Sequence, residues 1–341
     1  MGRRHGRRRM FGLRKEIIVA IALVLVIALG AVAAHVVESQ MSVPISNAGE
    51  QVTAHTTALN TAQVFVDGQW YAERNVDTLL LMGIDNYDEL GSDSSYNNTN
   101  QTDFLALYVR DEDSGRTAVL HLNRDTMTKI TTLGVTGQVT GSRTAQLALA
   151  YNYGSGDHIS SNNVVEAVEH LLYGIDVDHY ITVTMGSVPI VNDWAGGVTV
   201  MIKDDFSSID AALIQGQYVK LSNEQALTYI RARSGLDDSS NLSRMERQRE
   251  YASAWVETAR TKLADVEAVA DLLMQMDGYY RTDCTVEELK DIAQGLSNSA
   301  SMPLYELEGK SVKGEDYMEY HVNEKALQKL VLELFYAPVG G

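Results

Sequence analysis

Short apolar runs alternate with amphipathic segments along most of the chain. Runs of strand length occupy residues 78–84, 104–109, 117–122, 180–185 and 198–202. Several of them are apolar at nearly every position, which is typical of strands that are covered on both faces. The pattern therefore predicts a sheet that is buried between other elements.

The amphipathic segments predict helices, and three of them carry recognisable ends. Residues 162–173 show helical spacing and end at Gly174, a residue type common at helix C-caps. Ser222 and Ser243 each stand three positions before a Gln or Glu, which matches the capping box and predicts an N-cap at each serine. Strands interleaved with helices predict an α/β fold with helices on both sheet faces. Two further helices are predicted at residues 285–296 and 323–335.

The N-terminal end has a different pattern. Residues 17–34 are uncharged and apolar, and with their flanks they are long enough to cross a bilayer as a helix. The preceding residues hold six arginines and one lysine, so we expect this end to stay in the cytoplasm. A cleaved signal peptide ending near Ala33 is the alternative.

These patterns predict a cell-membrane protein with one transmembrane segment and its main part outside the cell. We divide the chain into a basic cytoplasmic tail (1–16), a transmembrane anchor (17–37), a polar extracellular stalk (38–75) and a main domain (76–264). Residues 265–341 are predicted as a helical continuation or extension of that domain.

Composition narrows the function classes. The 45 acidic residues exceed the 28 basic ones, giving a net charge of −17, which argues against a nucleic-acid partner. The single cysteine, Cys284, excludes an intramolecular disulfide framework and any CxxC site. The eight histidines form no HExxH or HxH motif, so a zinc hydrolase is disfavoured.

A local excess of arginine stands out in this acidic chain. If Ser243 is an N-cap, Arg244 and Arg247 share the first helical turn, where cations oppose the helix dipole unless an anion binds there. Arginine also suits bidentate recognition of phosphate, so the cluster predicts an anion site. A solvated helix face paired with Glu246 and Glu250 is the alternative, which we favour for Arg249. The five arginines within nineteen residues are Arg231, Arg233, Arg244, Arg247 and Arg249.

Acidic residues stand at the ends of the predicted strands. Asp85 follows residues 78–84, Asp103 precedes 104–109, and Arg124 with Asp125 follows 117–122. Ligand crevices of α/β sheets lie beyond strand ends, so these side chains could converge. Two carboxylates near a phosphate group suit Mg²⁺, although a single strand-end aspartate is more often a turn residue.

Together these motifs resemble the LytR-CpsA-Psr family, which attaches glycopolymers to the cell wall of Gram-positive bacteria. The resemblance runs in family order through residues 76–262. Its main stretches are DTLLLMGIDN (77–86), TDFLALYVRD (102–111), VLHLNRDTM (119–127) and LSNEQALTYIRAR…SRMERQRE (221–250).

The resemblance implies a membrane-anchored α/β domain with a central mixed sheet and an apolar cavity for a polyprenyl chain. It also implies that Mg²⁺ or Mn²⁺ assists transfer of a teichoic-acid-like or capsule-like polymer from polyprenyl diphosphate to a peptidoglycan hydroxyl, releasing polyprenyl phosphate. By position, the resemblance makes Asp85 and Asp103 the metal carboxylates. It makes Asp125 and Gln248 substrate-binding residues. The residues that would hold the diphosphate are Arg124, Arg231, Arg233, Arg244 and Arg247.

Four positions depart from the pattern usual in the family. Gln101 replaces an arginine, Asn123 a proline and Asn241 an acid, and a lysine common near Gln146 is missing. These departures leave the polymer and the acceptor open. Two other activities stay open as well, namely hydrolysis of the polyprenyl diphosphate by the same site and non-catalytic sensing of lipid-linked precursors.

Overall fold

The computed structural model describes residues 63–90, 100–134, 137–154, 157–263, 265–285, 288 and 303–339. The strands are β1 (Gln63–Val66), β2 (Gln69–Glu73), β3 (Val76–Ile84), β4 (Thr102–Asp111), β5 (Thr117–His121), β6 (Met127–Leu133), β7 (Val139–Gln146), β8 (His179–Thr184), β9 (Thr199–Met201), β10 (Tyr218–Lys220), β11 (Tyr280–Thr282), β12 (Leu304–Glu306), β13 (Gly309–Lys313), β14 (Met318–Val322) and β15 (Tyr336–Pro338). The α-helices are α1 (Asp157–Leu171), α2 (Ser187–Ala195), α3 (Asn223–Arg231), α4 (Asn241–Leu263), α5 (Val266–Gln275) and α6 (Glu324–Phe335), and a 3-10 helix covers Leu147–Tyr153.

The central sheet has six strands in the order β11-β8-β3-β4-β5-β12. Strand β3 runs parallel to β8 and antiparallel to β4, while β5 runs antiparallel to β4 and parallel to β12. The sheet is therefore mixed, as the resemblance implied. The apolar run at 198–202 forms a strand, β9, but it pairs with β10 in a separate two-stranded sheet.

Apolar residues cover both faces of the central sheet. On one face, Leu80, Met82 and Ile84 of β3 share a core with α1 and α6. The second core joins α2, α3, α4 and α5 around the stacked rings of Trp194 and Trp255, whose centroids are 5.7 Å apart. Helices on both faces of a sheet whose strands are buried confirm the α/β prediction.

Two of the three predicted helix ends are confirmed, and one is wrong. The Ser222 side chain accepts a hydrogen bond from Gln225 N at 3.2 Å, and the Gln225 side-chain oxygen accepts one from Ser222 N at 3.0 Å. Gly174, with φ +86°, donates to Glu169 O at 2.8 Å beyond the end of α1. Helix α4, however, begins before Ser243, because the Ser240 side chain accepts from Ser243 N at 3.1 Å and so caps the helix.

Residues 63–73 were predicted as part of a polar stalk, but they form two strands of a small sheet. Strands β1 and β2 pair with Val66 opposite Gln69, and β15 adds to β2. Asp67 and Gly68 connect them with φ of +48° and +85°, the positive values that a two-residue hairpin turn requires. An Asp-Gly pair between alternating strands is a hairpin signal that the stalk prediction overlooked.

The predicted tail, the predicted anchor and residues 38–62 of the predicted stalk lie outside the described residues. Among the described residues, none of the helices combines the length and the apolar character of a membrane-spanning segment.

The C-terminal segment contains strands as well as helices. Strands β11 and β12 form the two edges of the central sheet. Strand β11 pairs with β8, and β12 pairs with β5. The predicted helix at 323–335 is confirmed as α6, whereas the one at 285–296 lies almost wholly outside the described residues.

Candidate functional site

A β-bulge positions the two aspartates expected to bind metal. Gly83 lies opposite Phe104 while Ile84 lies opposite Thr102, so Asp103 is the extra residue on β4. A bulged residue leaves the ladder and its side chain can be aimed elsewhere. Asp85 follows the neighbouring end of β3, where its carboxylate Oδ1 accepts from Gln101 N at 2.7 Å. The two aspartates thus lie at the same end of the sheet.

Arg124, directly after β5, reaches the same place. Its guanidinium forms an ion pair with Asp103, donates to the side-chain oxygen of Gln101, and lies 3.5 Å from Asp125 Oδ1. Burial lowers the pKa of Arg124 to about 10, and the adjacent cations of Arg244 and Arg233 act in the same direction. Three guanidinium groups, those of Arg124, Arg233 and Arg244, are therefore close enough to repel one another.

Arg244 approaches Asp103 from α4. Its Nη1 donates to Asp103 Oδ2 at 2.8 Å, and its Nη2 donates to Asn241 Oδ1 at 2.6 Å. Burial, followed by the charge of Arg233, lowers the pKa of Arg244 to about 10. Two buried guanidinium groups therefore share the carboxylate of Asp103, and Arg233 adds a third positive charge beside them.

Asp125 lies on the other side of Arg124. Burial raises the pKa of Asp125, while the cations of Arg124, Arg233 and Arg244 lower it. Gln146 donates from one amide nitrogen to Asp125 Oδ1 at 2.9 Å and to Met318 O at 2.6 Å. The carboxylate is thus held by a neutral amide as well as by cations.

The four departures from the family pattern surround this cluster. Gln101 contacts Arg124, and Gln146 contacts Asp125. The Asn241 amide donates to Asn123 Oδ1 at 2.7 Å while its oxygen accepts from Arg244. Sequence reasoning did not assign any of these amides to the site. The signal was that all four departures occur within or beside motifs that carry the charged residues.

Arg231 and Arg233 leave α3 toward the same cluster. Arg231 is exposed, and its guanidinium stacks over the Tyr87 ring at 4.8 Å from the centroid. Arg233 is half-buried and close enough to affect the pKa values of Arg124, Asp125 and Arg244. Within the part of the chain that the structure describes, its side chain forms no hydrogen bond or ion pair, so its donors are open to a ligand.

Arg247 has different surroundings from the other predicted site arginines. Its guanidinium donates to Tyr229 O at 3.0 Å and to Ala232 O, both at the C-terminal end of α3. It also pairs with Asp204 Oδ2 at 2.5 Å and donates to Ser243 Oγ at 2.8 Å. Arg247 therefore holds the end of α3, from which Arg231 and Arg233 extend, and it does not contact Asp103.

Arg249 is not part of the solvated face predicted with Glu246 and Glu250. It forms an ion pair with Glu306 and lies 3.3 Å from His121 Nδ1. The two glutamates pair instead with Lys203. The prediction was wrong because β12, which carries Glu306, packs beside β5 and brings a remote acid to α4.

An apolar cavity lies between the second face of the sheet and helices α2, α3 and α4. Gly83, Phe104 and Val183 line it from the sheet, and Val191 and Tyr251 line it from the helices. A side chain at Gly83 would approach Phe104 Cβ to 3.1 Å, so glycine leaves this wall open. The cavity is suited to an apolar ligand.

The polar cluster lies at one end of this cavity. Phe104 directly follows Asp103, and Gly83 lies two residues before Asp85. Gln248, which also lines the cavity, lies one helical turn after Arg244 on the same face of α4. Its Nε2 reaches Ile230 O at 3.5 Å, and its Oε1 is buried without a partner among the described residues.

The fold and the site together define an α/β protein that carries a cationic cluster at one end of an apolar cavity. The LytR_cpsA_psr family model matches residues 40–335, and the chain belongs to this family.

Relatives of known name are distant but span most of the chain. The chain is 24% identical over 258 residues to the polyisoprenyl-teichoic acid–peptidoglycan teichoic acid transferase TagU of Bacillus licheniformis, covering 75% of this chain and 76% of that protein. It is 25% identical over 271 residues to TagU of Oceanobacillus iheyensis, covering 78% and 77% respectively. A solved structure described as TagT bound to LIIa-WTA has the same fold, with a TM-score of 0.56 and 21% identity, over 76% of this chain and 89% of that one.

Proposed function

We propose that this protein transfers a glycopolymer of teichoic-acid or capsule type from a polyprenyl-diphosphate carrier to a sugar hydroxyl of peptidoglycan, releasing polyprenyl phosphate. The observation that carries the proposal is the pair of buried arginines, Arg124 and Arg244, that share Asp103 at one end of an apolar cavity. The distant relatives named as teichoic acid transferases support the same reaction class.

The arrangement matches the two parts of such a donor. The cavity takes the apolar chain, while the cationic cluster takes the diphosphate. Arg233 has open donors beside Arg124 and Arg244, so three guanidinium groups are available to phosphate oxygens. Phosphoryl transfer depends mainly on positioning and on neutralising charge, and buried arginines supply both.

Mg²⁺ or Mn²⁺ belongs to this proposal, and the acids of the site are compatible with it. Asp85 keeps one carboxylate oxygen without a partner among the described residues. Both oxygens of Asp103 are engaged by arginines, so Asp103 becomes a second ligand only when Arg124 or Arg244 turns to the diphosphate. Mg²⁺ is commonly held by one or two carboxylates together with substrate phosphates. The ion, when bound, supplies further neutralisation of the diphosphate charge.

Asp125 is the acid that best suits the role of general base. A carboxylate accepts a proton more readily when its pKa is raised toward the working pH, and burial has this effect on Asp125. The Gln146 amide fixes its orientation. In this scheme Asp125 takes the proton of the attacking sugar hydroxyl while the arginines hold the leaving polyprenyl phosphate.

The proposal places the described body outside the cell membrane. Residues 17–37 would anchor it there, with the basic tail 1–16 in the cytoplasm. A polyprenyl-linked donor resides in the same membrane, so an anchored enzyme meets its substrate at the bilayer surface.

The deciding experiment uses the full-length chain in detergent with Mg²⁺ and a short lipid-diphosphate oligosaccharide. Reactions run with and without an uncross-linked peptidoglycan acceptor, and polyprenyl phosphate and labelled acceptor are both measured. Acceptor-dependent release with sugar joined to peptidoglycan is the expected result. Release that ignores the acceptor would replace transfer by hydrolysis, and tight binding without release would make the protein a sensor.

A further inference from the structure

A second group of polar side chains lies at the opposite end of the central sheet. His179 is the first residue of β8 and lies opposite Leu79 of β3, whereas Asp85 follows the far end of β3. Strand β11 runs antiparallel to β8, with Thr282 opposite Ile181. The chain beyond Thr282 is thereby returned to the start of β8, where His179 lies.

The residues that follow β11 bring three kinds of metal-binding group to this histidine. One ligand atom from each of His179, Asp283 and Cys284 can be chosen so that all three lie within 4.8 Å of one another. Glu288 lies on the other side of the imidazole, because its Oε1 is 3.6 Å from His179 Nε2 whereas Asp283 Oδ1 is 3.9 Å from His179 Nδ1. With metal–ligand bonds of about 2.0–2.3 Å, the donors of a tetrahedral zinc site lie roughly 3.5 Å apart, so small side-chain rotations complete the geometry.

Backbone hydrogen bonds hold the segment that carries these ligands. Asp283 Oδ1 accepts from Tyr180 N at 2.8 Å, and Cys284 N donates to Thr282 Oγ1 at 3.1 Å. Glu288 Oε2 accepts from Thr285 N at 2.6 Å. Asp283 is thus tied to β8, and Cys284 is tied to the end of β11.

The charge of the group favours a cation. No lysine or arginine forms an ion pair with Asp283 or Glu288 in the described ranges, and both carboxylates lie within 4 Å of His179. A bound metal ion would stabilise the Cys284 thiolate.

We propose that His179, Asp283 and Cys284 bind one divalent transition-metal ion of the Zn²⁺ type, which fastens the segment after β11 to the edge of the central sheet. Imidazole and thiolate select such an ion over Mg²⁺, which prefers oxygen ligands. Three protein ligands leave the fourth tetrahedral position to water. The ion has no part in the transfer reaction, so this site does not depend on the proposed function.

The test titrates Co²⁺ into full-length protein that was purified without a histidine tag and stripped with chelator. Cys284 is the only cysteine of the chain, so a thiolate-to-cobalt charge-transfer band can arise only from this site. We expect one equivalent of Co²⁺ to produce the band and Zn²⁺ to abolish it. Cobalt bound at Asp85 gives no such band, which separates the two sites. Absence of the band in the unaltered protein overturns the proposal.

Variants identify the ligands. Cys284→Ser should abolish the band, and His179→Gln should weaken binding by at least the roughly 10–100-fold that loss of an outer-shell partner costs. His321→Gln is the matched control, because His321 pairs with Glu319 at 2.8 Å elsewhere in the fold and should leave binding unchanged. Saturating Zn²⁺ should raise Tm of the unaltered protein but not of folded Cys284→Ser protein. Equal binding by His179→Gln would exclude the site.

Discussion

Arg244 and Arg247 lie three residues apart on α4, and both are almost fully buried, at 2% and 3% exposed. Arg244 points to Asp103 at the end of the cavity, whereas Arg247 clamps the carbonyl groups at the end of α3 and pairs with Asp204. The two residues belong to one sequence motif and have the same chemistry. Their difference shows that an arginine-rich motif can combine a ligand-binding residue with a scaffold residue.

Substitution of Arg244 gives the strongest test of the difference between Arg244 and Arg247. Arg244→Ala should lower polyprenyl phosphate release by about 100-fold or more, because each charged hydrogen bond to the diphosphate contributes about 1.5–3 kcal/mol. Arg244→Lys should recover only part of the loss, since lysine keeps the charge without the planar fork. Steady-state kinetics of folded protein measures both. Activity of Arg244→Ala within a few-fold of the unaltered protein would remove Arg244 from the site.

Arg247→Ala should act on stability first. Removing one partner of a buried ion pair typically costs about 3–5 kcal/mol, and this change also frees two carbonyl groups of the α3 end. We expect a lower urea midpoint, measured by far-UV circular dichroism. Asp204→Asn is the control, with a smaller loss of stability. An Arg247→Ala protein of normal stability and poor donor binding would make the two arginines equivalent after all.

His121 extends the comparison to pH, since it lies beside Arg249 and Arg244. Burial, with those two cations, lowers the pKa of His121 to about 3. Below about pH 6.5 the histidine takes up a proton in the unfolded chain but stays neutral in the folded chain. The free energy of unfolding therefore decreases as pH falls from 6.5 toward 3. We expect His121→Gln to flatten this decrease by about 1–3 kcal/mol at pH 4.5. Identical pH profiles of urea unfolding would contradict the assignment.

Substitutions of the hydrogen-bond partners of Arg244 and Arg247 should have smaller effects. Asn241 accepts from Arg244 and Ser243 accepts from Arg247. Asn241→Ala should lower polyprenyl phosphate release by about tenfold with donor KM most affected, because a hydrogen bond to a charged group is worth about 1.5–3 kcal/mol. Ser243→Ala should leave release unchanged and lower stability by about 1.5–3 kcal/mol, because Ser243 also bonds a charged group. The reverse pattern would exchange the roles of the two arginines.

Arg249→Ala should have the smallest effect. Its partner Glu306 is half exposed, and ion pairs of this kind contribute about 0–1 kcal/mol. We expect unchanged donor binding, and at most a small decrease in Tm. A loss of release comparable with that of Arg244→Ala would show that the whole arginine cluster acts on the substrate.

Much of the fold follows from short stretches of sequence. Apolar runs predict β3, β4 and β5, and the Ser222 capping box and Gly174 mark helix ends as the structure has them. The N-terminus of α4 was misplaced because Ser243 matches the capping box, whereas Ser240, which caps the helix, has a serine and not Glu or Gln three positions later. Only packing at the polar cluster, where Asn241 bonds Asn123, shows that the earlier serine is used.

The buried strands β3, β4, β5 and β8, the net negative charge, the arginine-rich segment and the family could all be predicted from the sequence, because each depends on residues close together in the chain or on motifs in order. Tertiary structure alone decided which arginine meets Asp103 and which clamps α3. Arg244 and Asp103 are 141 residues apart, so their contact depends on the bulge in β4 and on the packing of α4 against the sheet. The group of His179, Asp283 and Cys284 likewise exists only because β11 pairs with β8. Such long-range pairings follow from register and helix packing, which no local pattern encodes.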